Sequence, residues 1–124
     1  MKLFTPAEAN ALLPEIVPKL RAIQRLHERI QQFSRDAHMA ASASEFGGGM
    51  KGGTGYVKAL YDVGKMTTEV ADAGVEIKDY TRGLIDFPSM RGDRIVLLCW
   101  QLGEGDEVAW WHETEAGFAG RQPL

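Results

Sequence analysis

Apolar positions from Ile16 to Ala37 recur at steps of three and four, through Leu20, Ile23, Leu26, Ile30 and Phe33. That spacing lays one stripe along a helix and leaves the opposite face to charged residues. Upstream, Thr5-Pro6-Ala7-Glu8 reads as a capping box with proline at the first helical position. Pro14 and Pro18 lack an amide hydrogen and disfavour helix at the residue before them. The pattern therefore predicts a short first helix ending near Leu13 and a long second one starting at Pro14 or Pro18. A third helix is predicted from Gly55 to Lys78 with two stripes: Leu60, Val63, Thr67, Val70, Gly74 and Ile77, then Val57, Tyr61, Gly64, Thr68, Ala71 and Val75. A helix apolar on two sides needs two partners, and its small residues suit a close one.

After Asp79 the period becomes two. Turn signals at Arg91-Gly92-Asp93 and Gly103-Glu104-Gly105-Asp106 divide the rest into strands Leu84 to Met90, Arg94 to Leu102 and Glu107 to Glu113. Pro88 donates no ladder bond, which puts the first of these at an edge. Alternation assigns Ile95, Leu97, Cys99, Gln101, Val108, Trp110 and His112 to one face, and Val96, Leu98, Trp100, Leu102, Ala109, Trp111 and Glu113 to the other. Both faces are apolar, and a helical hairpin covers only one; a homodimer is expected to cover the second. The fold class is α+β in a single domain, 1–124. A long antiparallel helical hairpin with a short N-terminal helix spans about 5–78, packed on a three-stranded antiparallel β-meander and tail over 79–124.

The glycine-rich connection at 45–54 lacks the preceding strand and the Gly-Lys-Ser/Thr ending of a phosphate-cradling loop, and reads as a mobile linker between helices. Charge is split: residues 1–53 carry seven Lys/Arg against five Asp/Glu, and 54–124 seven against twelve. A net charge of −3 disfavours wholesale nucleic-acid binding. Arg21, Arg25 and Arg29 form a basic ridge, but Glu28 crosses it and no aromatic platform stands beside it. One cysteine permits no internal disulfide, and no apolar run is long enough for a membrane span or a signal segment, so a cytoplasmic protein is expected.

Leu3-Phe4-Thr5-Pro6-Ala7-Glu8-Ala9-Asn10, Gly83-Leu84-Ile85-Asp86-Phe87-Pro88-Ser89, Leu98-Cys99-Trp100 with Leu102-Gly103-Glu104, and Trp111-His112-Glu113 with Gly117-Phe118-Ala119-Gly120-Arg121 together resemble the family called domain of unknown function 2203. The resemblance covers nearly the whole chain. It implies a small cytoplasmic bacterial protein and brings no established activity or cofactor with it.

Function is therefore argued from the residues. With a hairpin turn at Gly105-Asp106, Cys99 lies opposite His112 and Trp100 opposite Trp111; with a turn at Arg91-Gly92, Asp86 joins Cys99 and His112 on one face. A Cys–His pair steadied by a carboxylate is a nucleophile arrangement, although a cysteine inside a central strand is more often an inert small hydrophobe. Cys99, His112 and Asp86, or Glu113 in its place, offer a metal ligand set without any Cys-x-x-Cys or His-x-x-x-His spacing. His27, on the apolar stripe, reads as a core histidine. Phe118 is expected to anchor the tail, and Arg121 either grips an acidic ligand or pairs with Asp86 or Glu104, the internal pair being favoured.

The leading expectation is a homodimeric binding module whose small polar or acidic ligand meets Asp86, Trp100, Glu104, Trp111, His112 and Arg121, with no catalytic residue assigned. One alternative is a metal-dependent or cysteine-based hydrolytic enzyme using Asp86, Cys99 and His112. The other is a purely structural helix-mediated partner binder.

Overall fold

A computed structural model describes the backbone of residues 1–42 and 53–124 and the side chains of 1–39 and 53–124. Most of the glycine-rich connection lies outside the described residues. Gly53 and Thr54, at its end, already belong to a helix.

The first helix, α1, runs unbroken over Pro6–Ser42. Its start is the capping box: Glu8 Oε1 accepts the Thr5 amide at 2.9 Å, and Thr5 Oγ1 accepts the Glu8 amide at 3.1 Å. The break expected at Pro14 or Pro18 does not occur, and both prolines lie inside the helix. They sit four apart on its exposed side, where the carbonyls they leave unbonded can take water. Meanwhile Ala9, Leu13, Ile16, Leu20 and Ile23 are buried as one stripe. Each large aliphatic side chain so buried contributes about 1.5–3 kcal/mol, which offsets the local cost of the prolines.

The second helix, α2, spans Gly53–Asp72 and stops well short of Lys78. Gly74 has φ +93°; its amide bonds to the Ala71 carbonyl at 2.9 Å, and the Val75 amide bonds to the Val70 carbonyl at 3.3 Å. This is a Schellman stop, and the apolar contact that goes with it is Val75 against Val70 in the core. α1 and α2 run antiparallel, since Phe33 stacks on Tyr56 and Lys19 pairs with Glu69 farther along. The side of α2 that packs inward carries Ala59, Met66 and Val70; of the stripe expected through Leu60, Thr67 and Val70, Val70 is fully buried and Leu60 is exposed.

The sheet has five strands rather than three: β1 (Glu76–Asp79), β2 (Leu84–Arg91), β3 (Arg94–Gln101), β4 (Trp110–Glu113) and β5 (Gln122–Pro123), side by side in chain order and all antiparallel. β1 lies in the segment after Gly74, where Val75 and Ile77 also fit a helical period. It covers β2 only as far as Asp86, so β2 is internal there and not an edge. Pro88 lies beyond that cover, and its carbonyl accepts the Phe4 amide at 2.7 Å.

One face of the sheet turns Ile85, Phe87, Val96, Leu98, Trp100 and Trp111 into the core shared with both helices. Val108 joins this core, against the expectation that it shares a face with Cys99. It precedes β4, so strand alternation does not reach it; its amide is held instead by Asn10 Oδ1 at 2.7 Å. His27 is half-buried and stacks on Tyr80, not sealed in the core. Among the described residues no helix is long and apolar enough to cross a membrane.

Candidate functional site

On the sheet face away from the helices, Asp86 of β2 stands directly opposite Cys99 of β3, and Leu97 opposite His112 of β4. Both registers differ by two residues from those expected. The first hairpin turns at Gly92-Asp93, and the link from β3 to β4 is a loop rather than a two-residue turn, so Cys99 faces Trp110, not His112. A slip of two keeps every side chain on its face, whereas a slip of one would have inverted it. The ligand atoms of Asp86, Cys99 and His112 consequently lie within 4.8 Å of one another.

All three side chains are buried, with relative exposures of 1%, 1% and 2%. His112 Nε2 meets both Asp86 carboxyl oxygens, at 3.1 and 3.2 Å, while Nδ1 lies 2.7 Å from the Glu113 carbonyl oxygen. A carbonyl only accepts, so Nδ1 carries a hydrogen and Nε2 is the nitrogen turned to the cluster. Burial raises the Asp86 carboxyl above its ordinary range, against the opposing pull of His112. The Cys99 thiol is pushed up to about 12 by burial and then by the neighbouring Asp86 carboxylate, to which it hydrogen-bonds.

The other expected site residues separate into two groups. Trp100 and Trp111 belong to the opposite, helix-facing side; the Trp100 indole donates to the Gly105 carbonyl at 3.1 Å, and Arg91 lies 4.3 Å over Trp111. They form no wall around Asp86 and His112. Glu104 and Arg121 pair with each other at 2.6 Å, and Glu104 also accepts the Gln101 amide at 2.7 Å. The Arg121 guanidinium lies between the Trp110 and Phe118 rings, 4.7 and 4.5 Å from their centroids, with only 8% of its side chain exposed. This clasp ties the tail across the sheet. Beneath the tail a cavity of about 230 Å³ reaches Asp86 and His112, lined also by Lys78, Leu97, Glu115 and Phe118. Lys78 and Glu115 carry no sequence signal that sets them apart from other surface charges. Among the residues of the basic ridge on α1, Arg21, Arg25 and Arg29 are all exposed alongside Glu28.

From residue 2 to residue 124 the chain matches the family model described as "Uncharacterized conserved protein (DUF2203)". The chain belongs to the DUF2203 family. No match was found among curated proteins or solved structures. What this DUF2203 chain can do chemically rests on its buried trio: a carboxylate, a sulfur and an imidazole nitrogen are the three donor types of borderline transition metals. A metal-binding histidine characteristically donates its other ring hydrogen to a carbonyl or carboxylate, the part Glu113 plays for His112.

Proposed function

We propose that this protein is a binding module for a divalent transition metal of the zinc class, held by the Asp86 carboxylate, the Cys99 sulfur and His112 Nε2. The observation that carries the reading is the convergence of those three donors within 4.8 Å in a buried setting, with the imidazole already oriented by the Glu113 carbonyl. Three apolar residues would fill that part of the sheet at less cost than a carboxylate, a thiol and an imidazole. Three protein donors leave a position for water or a small ligand, and the cavity adjoins Asp86 and His112. A bound ion there supplies Lewis acidity and an activated water. The chain's own residues orient the ligands, and the tail clasped by Arg121 keeps bulk water away. Lys78 lines the cavity beside Asp86 and favours an anionic or polar guest. The single cysteine, carried as a thiol, suits a reducing cytoplasmic setting.

Cysteine-based hydrolysis is the weaker reading, because Cys99 stands opposite Asp86 and Trp110 rather than His112, and its thiol is held well above the range of a reactive cysteine. Titration of metal-free protein with Co(II) tests the proposal. The expected result is one ion per chain, with a thiolate-to-metal absorption band that disappears in Cys99→Ser. Absence of stoichiometric binding, or an unchanged band in Cys99→Ser, would overturn it.

A further inference from the structure

We infer that two copies of this chain associate through α2, packed antiparallel about a two-fold axis close to Gly64. The side of α2 turned away from α1 exposes large apolar residues: Val57 is 65% exposed, Tyr61 70% and Leu60 45%. The same face continues through Gly64, Thr68 and Ala71, all exposed. Val57, Tyr61, Gly64, Thr68 and Ala71 follow one another at steps of four, three, four and three, the spacing of a seam between two helices.

Gly64 has no reason within its own chain. A Cβ placed there would meet nothing within 4 Å, and its backbone is not in the left-handed region. An exposed glycine inside a helix costs about 0.8–1 kcal/mol relative to alanine. What it permits is the close approach of another backbone.

The order of residues along the seam chooses both the occupant and its direction. Bulky Val57 and Tyr61 lie toward the start of α2 and small Thr68 and Ala71 toward its end. Antiparallel self-pairing sets large against small in both halves and glycine against glycine at the centre, whereas parallel pairing sets Tyr61 on Tyr61. Charge agrees. Lys58, whose exposed ammonium lies 2.7 Å from Asp62 of its own helix, flanks the seam at one end and Asp72 flanks the same side at the other, so antiparallel pairing brings Lys58 of each copy within reach of Asp72 of its mate as a second acidic partner. Parallel pairing would set this flank against the opposite flank of the mate, which carries Gly53, Leu60 and Thr67 and offers Lys58 and Asp72 no opposite charge. Lys65 meets its own copy near the axis, a like-charge contact that long side chains relieve by splaying. The arrangement is isologous and closes at two subunits.

The test is sedimentation equilibrium on the full chain, with circular dichroism to confirm that each variant is folded. The wild type is expected to be a dimer, and Gly64→Leu, whose side chain points into open space in the single chain, a folded monomer. Lys58→Asp alone and Asp72→Lys alone should each weaken association at least tenfold, and the double variant K58D/D72K should restore it. Under oxidising conditions Gly64→Cys should form a covalent dimer. A monomeric wild type at 100-fold the concentration of a typical micromolar dimer would overturn the inference. So would a dimer indifferent to Gly64→Leu and to both charge reversals. Neither outcome bears on the metal reading, which concerns the far side of the sheet.

Discussion

Replacing Asp86 with alanine removes one side of the buried acid–imidazole contact. The Asp86 carboxyl is 1% exposed, His112 2%, and the two carboxyl oxygens lie 3.1 and 3.2 Å from His112 Nε2. Its removal leaves the imidazole nitrogen and the Cys99 thiol without their partner in a place water reaches only through a narrow cavity. Breaking one side of a buried pair costs about 3–5 kcal/mol. For a chain of 124 residues the unfolding entropy is about 260 cal/mol/K, so each kcal/mol moves the melting temperature by about 4 °C. Asp86→Ala should therefore melt about 12–20 °C below the wild type by circular dichroism, measured with a chelator present so that no metal contributes to either protein. The double variant Asp86→Val with His112→Phe, which removes both polar partners and fills the space, should recover to within about 1.5 kcal/mol of the wild type. A single variant melting within about 4 °C of the wild type, or a double variant that simply adds two losses, would refute the reasoning.

Gly83 connects β1 to β2 with φ +62°, and a Cβ there would come within 2.5 Å of Leu102 Cγ. Gly83→Ala combines left-handed strain with overpacking and should cost about 2–4 kcal/mol by urea denaturation; a loss under about 1 kcal/mol would show that the turn relaxes freely. The Glu8 carboxylate, holding the Thr5 amide, has its pKa lowered from the ordinary 4.5, so its contribution is full above that value and fades as pH falls through the lowered one. The stability difference between wild type and Glu8→Ala should accordingly shrink from pH 7 to pH 3, and an unchanged difference would remove the carboxylate's charge from the cap.

Much of this architecture is local and was legible without coordinates. The capping box at Thr5 and Glu8 depends on four adjacent residues. The alternation that puts Asp86, Cys99 and His112 on one face survives a register error of two, because strand side chains repeat every second residue. The same alternation had already placed Trp100 and Trp111 on the other face, and grouping them with Asp86 asked the site to reach through the sheet. Other features were settled only by tertiary structure. Pro14 and Pro18 read as helix breaks, yet burying Ala9, Leu13, Ile16, Leu20 and Ile23 as one stripe outweighs two missing hydrogen bonds on a wet face. Gly74 could be a small packing residue or a helix stop, and the Val75 contact with Val70 chose the stop, releasing Glu76 to Asp79 to begin the sheet. The tail from Thr114 to Arg121 has no period at all. Its course over the buried trio follows from Arg121 finding Glu104, Trp110 and Phe118 together, a meeting of residues up to 17 positions apart that only the folded chain brings about. Periodicity determines which side of an element each residue faces; what lies against that side is decided by packing between elements distant in the chain.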